Sequence, residues 1–422
     1  MNRQALRILT AREVRWMSIF GCVLIIRLLY PFFDSPLTHV FSDPQRHWEN
    51  GRDFLHPNVI GSGDPLMYQV WVYLLRALSG SGSDTATVLA GCGLLCAAMP
   101  YGWYRALREL VGRERSLQGA VLIGLWPSAL GLYGYFMTET LVLTLTGFAF
   151  ALTLRAVRKR STAAFALACA VWLAASFTRI VVLPIALLCL AWLWTLQARK
   201  LRALLLAVCM SAAIAVPAGL HARIALHYFA PLGNLYLNEI YHAGLRKNIQ
   251  ISFGPQGTFG FGSPSYYNPT FYPFSDWTTT RQGTYELSVD TSHGRADWIR
   301  ELERARAQPG AQRWREFAEN LCYLFFGVSW PDDDLSTLLG TMTVWCRWLF
   351  LPAVLWTAIA AAQGRFRGRE WLLPLCALLS LSLLVIQREG IMEGRYRKPL
   401  EPIFLAAIVL SLRARHDRGA LP

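Results

Sequence analysis

The stretch TETLVLTLTGFAFALTLRAVRKR, residues 138–160, carries the pattern that decides the fold of this chain. Its apolar run, 139–154, is followed at once by four basic residues within 155–161. A bilayer-spanning helix needs about 20 apolar residues, and about 17 can suffice. The run is therefore short for a span and must gain support from tilt or from neighbouring helices. An apolar run that ends in a basic cluster is typical of a membrane span with its cytoplasmic loop.

The same pattern recurs along most of the chain. Hydrophobic residues make up 54% of the sequence and charged residues only 16%, well below the roughly 25% of soluble domains. The sequence therefore predicts an all-α polytopic membrane protein with about ten transmembrane helices. The predicted spans are 16–33, 86–104, 117–136, 139–154, 162–178, 180–196, 201–220, 340–361, 371–387 and 399–412.

The loops between these spans predict the orientation. Every predicted inside segment holds three or four Lys or Arg residues, whereas the short outside loops near 137 and 179 hold at most one. The inside segments are 1–15, 105–116, 155–161, 197–202, 362–370 and 413–422. Because positive loops stay in the cytoplasm, both termini are predicted there, with the first span retained as a signal anchor. The net charge of +14 thus reflects orientation and indicates no nucleic-acid partner.

Two long outside segments divide the chain into three regions. Residues 1–220 are predicted to form an N-terminal transmembrane module that contains a first periplasmic loop at 34–85. Residues 221–339 are predicted to form a large second periplasmic loop with irregular segments, short strands and amphipathic helices. Residues 340–422 supply the C-terminal transmembrane helices.

The first outside loop contains FSDPQRHWENG, residues 41–51, an unusual density of polar groups beside a span. Asp43 and Glu49 are candidate catalytic carboxylates, and His47 adds a titratable ring. Trp48 offers a stacking surface for a sugar, and Arg46 a cation for a phosphate. Asp43 has a competing structural explanation, because SDPQ is also a good helix start.

Glu139 and Arg179 are predicted to lie at turns on the same outer side. A carboxylate at a bilayer edge is costly unless it faces water or a partner, so Glu139 is a candidate second acid. Arg179 sits in an almost loopless turn and could hold a lipid phosphate. The structural alternatives are a helix cap formed by Thr138 or Glu139, and an arginine that snorkels to the headgroups.

The third cluster is REGIMEGRYRKPLEP, residues 388–402. Arg395, Arg397 and Lys398 place positive charge in a short outside loop, where it is otherwise avoided, and Tyr396 lies among them. Guanidinium groups pair with phosphate in a bidentate manner, so these cations are candidate ligands for the donor phosphate. The alternative is a solvated loop whose charges balance internally.

Topology brings these separate elements to one side of the membrane. A carboxylate that accepts a proton from a hydroxyl, together with cations that stabilise a departing phosphate, suits glycosyl transfer from a lipid-linked sugar. The apolar helices would give the prenyl chain a place to lie.

Several residues also make the chain resemble the GT-C superfamily of integral-membrane glycosyltransferases, in the branch of protein O-mannosyltransferases and lipid A aminoarabinose transferase. The resemblance rests on Asp43 after the first span, Glu139, Arg179 and GRYRKPLEPIF at 394–404. It implies inverting transfer from an undecaprenyl-phosphate sugar at the periplasmic face of a bacterial inner membrane. It further implies that Asp43 is the base or main acid and Glu139 the second acid.

Some positions depart from the pattern of these relatives. Many carry two adjacent acids in the first loop, whereas here Pro44 follows Asp43 and the next acid is Glu49. The base is therefore open between Asp43 and Glu49. Some relatives bind a metal and others do not, and WPDDDL at 330–335 could bind a divalent cation or simply precede a span. No cofactor is demanded by the sequence.

The acceptor is a glycan, a lipid or a protein hydroxyl, and the sequence does not distinguish them. Tyr266, Tyr267 and Trp277 lie in an aromatic segment of the large loop, and aromatic faces suit sugar rings. We expect these three residues, with Trp48 and Tyr396, to contribute to the acceptor or sugar site.

Two other function classes compete with this interpretation. A lipid-linked saccharide transporter or flippase would carry charges near the bilayer midplane, and Arg27 is the clearest charge inside a span. A polysaccharide polymerase or ligase would use similar arginines with a diphosphate donor. Replacement of Asp43 by Asn distinguishes them, because it should abolish transfer while leaving donor binding largely intact.

Overall fold

The computed structural model describes residues 10–40, 42–59, 61–244, 248–252, 258–261, 284–288, 294–307, 321, 324–326, 338–386 and 394–412. Over these residues the chain is predominantly helical. The helices are α1 (Ala11–Phe33), α2 (Ser42–Arg52), α3 (Leu66–Leu78), α4 (Thr85–Arg108), α5 (Arg113–Gly124), α6 (Pro127–Gly131), α7 (Thr138–Lys159), α8 (Thr162–Thr178), α9 (Leu183–Thr195), α10 (Lys200–Leu226), α11 (Leu235–Gly244), α12 (Arg295–Ala307), α13 (Leu338–Ala362), α14 (Leu372–Ile386) and α15 (Glu401–Ser411). Short 3₁₀ turns occur at Gly61–Gly63, Leu132–Gly134, Ile180–Val182, Gly368–Trp371 and Gly394–Arg397.

The large loop contributes a small sheet as well as helices. Its strands are β1 (Asn248–Ser252), β2 (Thr258–Phe261) and β3 (Thr284–Ser288). The strand order is β2-β1-β3, with β1 antiparallel to β2 and parallel to β3. These strands lie in the segment for which the sequence predicts short strands.

The helical membrane class is confirmed. Six helices in the described part of the chain are long and apolar enough to cross a membrane: α1, α4, α7, α10, α13 and Gly368–Val385. A seventh crossing is possible if α5 and the segment Pro127–Gly134, bent by 62° at their junction, form one broken span. Shorter apolar helices occur at Leu66–Leu78, Thr162–Thr178, Ile180–Thr195 and Glu401–Ser411. These elements indicate a multi-pass membrane protein, and the count of ten spans stays a prediction.

The starts of α2 and α7 do not support the idea that Asp43 and Glu139 are helix caps. The residue before α7 is Met137, which makes no side-chain capping bond, and Glu139 lies in the first turn. Asp43 lies inside the first turn of α2, which begins at Ser42. Neither carboxylate is therefore a helix N-cap, although Asp84 does cap α4 by accepting from the Thr87 amide.

The core is formed where the N-terminal helices meet the last helix. Helices α1, α4, α5, α7 and α8 pack against one another, and α15 packs against α5, α13 and α14. Almost all of α15 is buried, including Ile403, Phe404 and Leu410. Trp103, Phe150 and Trp172 fill the centre of the bundle.

Arg27 has a structural explanation within this core. Its Nε donates to the Cys96 carbonyl at 2.8 Å, and its Nη1 donates to the Gly124 carbonyl at 2.7 Å. Pro100 lies four residues after Cys96 inside α4 and has no N–H to offer that carbonyl. Gly124 ends α5 at the bend before Pro127, where the helical ladder stops. Arg27 therefore satisfies two carbonyls at breaks in the helical ladder.

Candidate functional site

One cavity of about 510 Å³ lies where the ends of several helices meet. Its wall is built from α2, the start of α3, the junction before α7, the α8–α9 turn, α11 and α14, with Tyr396 also contributing. Five residues that the sequence singled out line it together: Asp43, Arg46, His47, Arg179 and Tyr396. The first predicted outside loop, the turn at Arg179 and the last charged loop thus converge at one place.

The wall formed by α2 is built around the Arg46 guanidinium. Arg46 Nη1 lies 2.6 Å from Asp43 Oδ1, one turn earlier on the same helix. Arg46 Nε donates to Asp64 Oδ2 at 2.9 Å. One cation therefore bridges two carboxylates from different elements.

Asp64 gathers further polar groups around one oxygen. Asn50 Nδ2 donates to Asp64 Oδ2 at 2.5 Å, and His47 Nδ1 lies 3.4 Å from the same atom. Burial by itself would raise the pKa of the Asp64 carboxyl, but the charges of Arg46 and His47 outweigh it and hold the pKa below its ordinary value. Asp64 is therefore an ionised carboxylate at neutral pH.

Another part of the cavity wall presents Arg179, which follows the last residue of α8. Arg179 forms an ion pair with the fully buried Glu139, and its Nη1 donates to the Thr138 hydroxyl at 3.1 Å. That hydroxyl donates in turn to Glu139 Oε2 at 3.0 Å. The Arg179 guanidinium also lies 5.1 Å from the ring centre of Tyr396. Local helix electrostatics favour this pair, because the acid lies in the first turn of α7 and the cation at the end of α8.

A second group of charges lies near this wall, at the start of α15. Arg397 Nε donates to Glu401 at 3.3 Å, and Trp126 Nε1 donates to the same carboxylate at 2.8 Å. Lys398 is fully buried. Burial lowers the pKa of Lys398 from 10.5 to about 7, while the negative charges of Glu401 and Glu139 act in the opposite direction.

The remaining surface of the cavity is largely apolar. Phe177, Ile180 and Pro184 supply it from the α8–α9 turn, and Leu383 and Leu384 supply it from α14. Ile180 is 47% exposed and Leu383 39% exposed. The apolar wall is therefore partly exposed.

Other predicted site residues lie elsewhere. Glu49 accepts a hydrogen bond from Gln45 on the exposed side of α2, and Trp48 stacks on Phe136 with ring centres 4.6 Å apart. Arg397 and Lys398 are buried outside the cavity lining. Geometry thus favours Asp43 over Glu49 as the acid that faces the cavity. The positions of Tyr266, Tyr267, Trp277, the Arg395 side chain and the acidic triplet in 330–335 lie outside the described residues.

Asp64 is the functional candidate that sequence reasoning missed. A signal was present, because GDPL at 63–66 repeats the Asp-Pro pair of SDPQ at 42–45, and each pair stands at the start of a helix. Both Asp-Pro pairs open a helix of the same loop, and both carboxylates face the same arginine. Arg46 and Asp64 are separated by 18 positions in the sequence, so local sequence patterns do not indicate this contact.

Among the described residues, no group of three or more His, Cys, Asp and Glu side chains is placed to hold a metal ion. Asp43, His47 and Asp64 come nearest to such a set, but the Arg46 guanidinium lies between the two carboxylates. The residues present therefore form a hydrogen-bonded charge cluster. No protein-family model matches this chain, and no curated protein matches it either.

Proposed function

We infer that this chain is an inverting glycosyltransferase of the GT-C type. It moves a sugar from a polyprenyl-phosphate donor, with undecaprenyl phosphate as the carrier, to a hydroxyl acceptor. The reaction takes place at the periplasmic face of a bacterial inner membrane. One observation carries the proposal: a single cavity brings together an acidic wall, an arginine wall and an apolar wall.

Each wall has a distinct task. Arg179 receives the donor phosphate, held in position by Glu139 and Thr138. Asp43 accepts the proton of the acceptor hydroxyl, and Tyr396 and His47 line the space for the sugar. The apolar wall at Ile180 and Leu383 takes the first isoprene units of the carrier, because both side chains are apolar and partly exposed.

The reaction is a displacement at the anomeric carbon. The acceptor oxygen forms a bond to this carbon from the face opposite the phosphate, so the configuration inverts. The bond between the carbon and the phosphate oxygen breaks, and its electron pair leaves with polyprenyl phosphate. The acceptor proton passes to the carboxylate, and the guanidinium stabilises the charge that develops on the phosphate.

The orientation follows from the positive loops. Every cavity-lining position that the sequence singled out belongs to a predicted outside segment or turn. Ten crossings with cytoplasmic termini place all of them at the periplasmic surface. Three of the four shorter apolar helices, together with the bent α5–α6 pair, coincide with the four predicted spans that the six long helices leave.

A transporter is the second candidate, and Arg27 was the residue that favoured it. The guanidinium of Arg27 bonds two backbone carbonyls at helix breaks, which gives the charge a structural role. A polysaccharide polymerase or ligase is an alternative that would carry out the same type of transfer with a diphosphate donor. The mass of the lipid product, a phosphate or a diphosphate, distinguishes it from the proposed enzyme.

The first test compares the Asp43→Asn variant with the unaltered chain in cells that produce the two proteins at matched levels. Asp43→Asn should remove one sugar mass from one class of surface glycan, lipid or protein and should let the polyprenyl-phosphate sugar accumulate. The expected loss of rate is about 10²–10⁴-fold, the usual contribution of a general base. Untargeted mass spectrometry of the lipid, glycan and exported-protein fractions measures both changes.

Purified protein provides the complementary measurement. Arg179→Gln should weaken binding of undecaprenyl phosphate, whereas Asp43→Asn should leave it unchanged. Arg158→Gln is the matched control, because Arg158 lies in the last turn of α7, at the end opposite the cavity. Normal products in cells with a correctly inserted Asp43→Asn variant would show that the proposed function is wrong.

A further inference from the structure

Asp64 belongs to a turn that is fixed on several sides. Gln69 Nε2 donates to the carbonyls of Asp64 and Gly61, each at 2.8 Å. Asn58 Oδ1 accepts from the Gly61 amide at 2.6 Å, and the Ser62 carbonyl accepts from the Asn234 amide at 3.3 Å. The turn is therefore tied both to α3 and to the segment before α11.

The Asp43 side chain is more exposed than that of Asp64. Asp43 lies in the first turn of α2, its side chain is 17% exposed, and it faces the cavity. The Asp64 side chain is only 8% exposed, and the Asn50 amide and His47 ring surround the oxygen that Arg46 contacts. Asp64 is thus the fixed carboxylate of the pair, and Asp43 is the more accessible one.

Arg46 connects these two carboxylates through different nitrogens, Nη1 to Asp43 and Nε to Asp64. A guanidinium group is planar, so anchoring Nε fixes the direction in which Nη1 points. The charge of Arg46 is also shared between two acids. If Asp64 is removed, Asp43 loses a competitor for the Arg46 guanidinium.

We propose that Asp64 is a positioning residue for the transfer reaction, and that it acts through Arg46 to orient the Asp43 carboxylate and to keep it basic. This rests on the proposed function, in which Asp43 accepts the proton. Without Asp64, Arg46 would turn to Asp43 and pair with it through both nitrogens. A carboxylate in such a bidentate pair is a weaker proton acceptor.

His47 extends the same arrangement. Its Nδ1 lies 3.4 Å from Asp64, and its ring packs edge-on against Tyr68 with centres 5.1 Å apart. The ring is 4% exposed and lines the cavity. Asp64 therefore sets the orientation of two cavity residues at once, Arg46 and His47.

The experiment compares the full-length protein with Asp64→Asn, Asp43→Asn and Asp53→Asn, reconstituted in liposomes with lipids extracted from a bacterial envelope. Asp53 is the matched control, because it lies in the same loop and pairs with Arg52 at an exposed surface. The readout is the rate at which polyprenyl-phosphate sugars in the extract are converted to undecaprenyl phosphate, measured by mass spectrometry. We expect Asp64→Asn to lower the transfer rate about 10- to 100-fold, which is the usual effect of removing a residue that orients a reactive group.

Two further measurements separate positioning from folding. Binding of undecaprenyl phosphate should be unchanged in Asp64→Asn, because Arg179 lies on the other wall. In an Arg46→Gln background, Asp64→Asn should cause little further loss of rate, because the effects of replacing two residues that act through one another are not additive. This double-mutant comparison also stays informative if Asp64→Asn lowers the yield of folded protein.

Three results would overturn the inference while leaving the proposed function intact. They are a normal rate in Asp64→Asn, an equal loss in the presence and absence of Arg46, and a loss of undecaprenyl phosphate binding together with the rate. A normal rate in Asp43→Asn would instead overturn the proposed function, and this inference with it.

Discussion

Among single residues, Lys398 shows how strongly burial controls charge at this site. The side chain has no exposed surface, and burial brings its pKa to about 7 in spite of two nearby carboxylates. The unfolded chain would keep the ordinary value of 10.5. Between these values the unfolded state binds a proton that the folded state does not, so folding stability rises with pH across this window. The contribution is lost as the pH falls from about 10.5 toward 7.

Lys398→Met should therefore stabilise the protein more at pH 7 than at pH 10. Methionine fills a similar volume and needs no desolvation of a charge. Thermal unfolding of both proteins at the two pH values, followed by tryptophan fluorescence, measures the difference. Lys159→Met is the control, because Lys159 is exposed at the end of α7. An equal stabilisation at both pH values would contradict the assignment of a buried, proton-releasing lysine.

At the scale of residues, the sequence predicts which side chains carry charge better than it predicts which of them meet. Asp43, Arg46, His47 and Arg179 were recognised by residue type and by the outer turn in which they lie, and all four line one cavity. Asp64 was missed because its partner is 18 residues away and the turn between them is irregular. Glu49 looked equivalent to Asp43 in sequence, but the helical period turns it to the exposed face of α2.

At the scale of helices, Arg27 explains how two irregular elements coexist in the core. The proline inside α4 and the break after α5 each leave a carbonyl without its helical donor, and one guanidinium supplies both bonds. Arg27→Met would leave both carbonyls unsatisfied, at about 1–3 kcal/mol each. Part of this cost is offset because a buried charge is removed.

We expect Arg27→Met to lower the free energy of unfolding by about 2–4 kcal/mol. Arg105→Met provides the comparison, because Arg105 lies on the exposed face of α4 and bonds only the Tyr101 hydroxyl. Denaturation of both proteins in detergent measures the effect. A variant as stable as the parent would mean that water or backbone rearrangement replaces the two bonds.

Helix positions were largely predictable, and helix shapes were not. Each predicted span coincides with an apolar helix or with the bent α5–α6 pair, because length and hydropathy are local properties of the sequence. The 62° bend could not be placed, since it depends on Pro127 and on a donor from α1. Helix α3 was also missed, because its apolar face is that of a short amphipathic helix within an outside loop.

At the scale of the whole molecule, the arrangement of the membrane helices brings together residues that are distant in sequence, as the strand order of a sheet does in many soluble enzymes. Residues from α2, α7, α8 and the segment before α15 meet at one cavity, and the sequence predicts each of them at the outer end of a membrane helix or in an outside loop. This convergence was predictable from the alternation of positive loops. The distances inside the cavity, and the contribution of Pro231, Leu232 and Glu239 from the large loop, required the packed structure.

One feature of this packing, the length of two helices, bears on the surrounding bilayer. Thr162–Thr178 and Ile180–Thr195 are short apolar helices that flank Arg179. At 1.5 Å per residue each is roughly 25 Å long, against about 30 Å for the hydrocarbon core of a bilayer. If both helices span the bilayer, as the sequence predicts, the surrounding lipids compress beside the cavity, and under the proposed function this brings the carrier headgroup inward toward Arg179.

Transfer should consequently depend on acyl-chain length. We expect the fastest rates in liposomes of shorter-chain lipids and slower rates as the bilayer thickens, with conversion of polyprenyl-phosphate sugar as the readout. A rate that is constant across chain lengths would show that these helices tilt little and leave the bilayer undeformed. With the expected outcome, bilayer elasticity becomes part of catalysis, and cells could tune the enzyme through the fatty acids that they make.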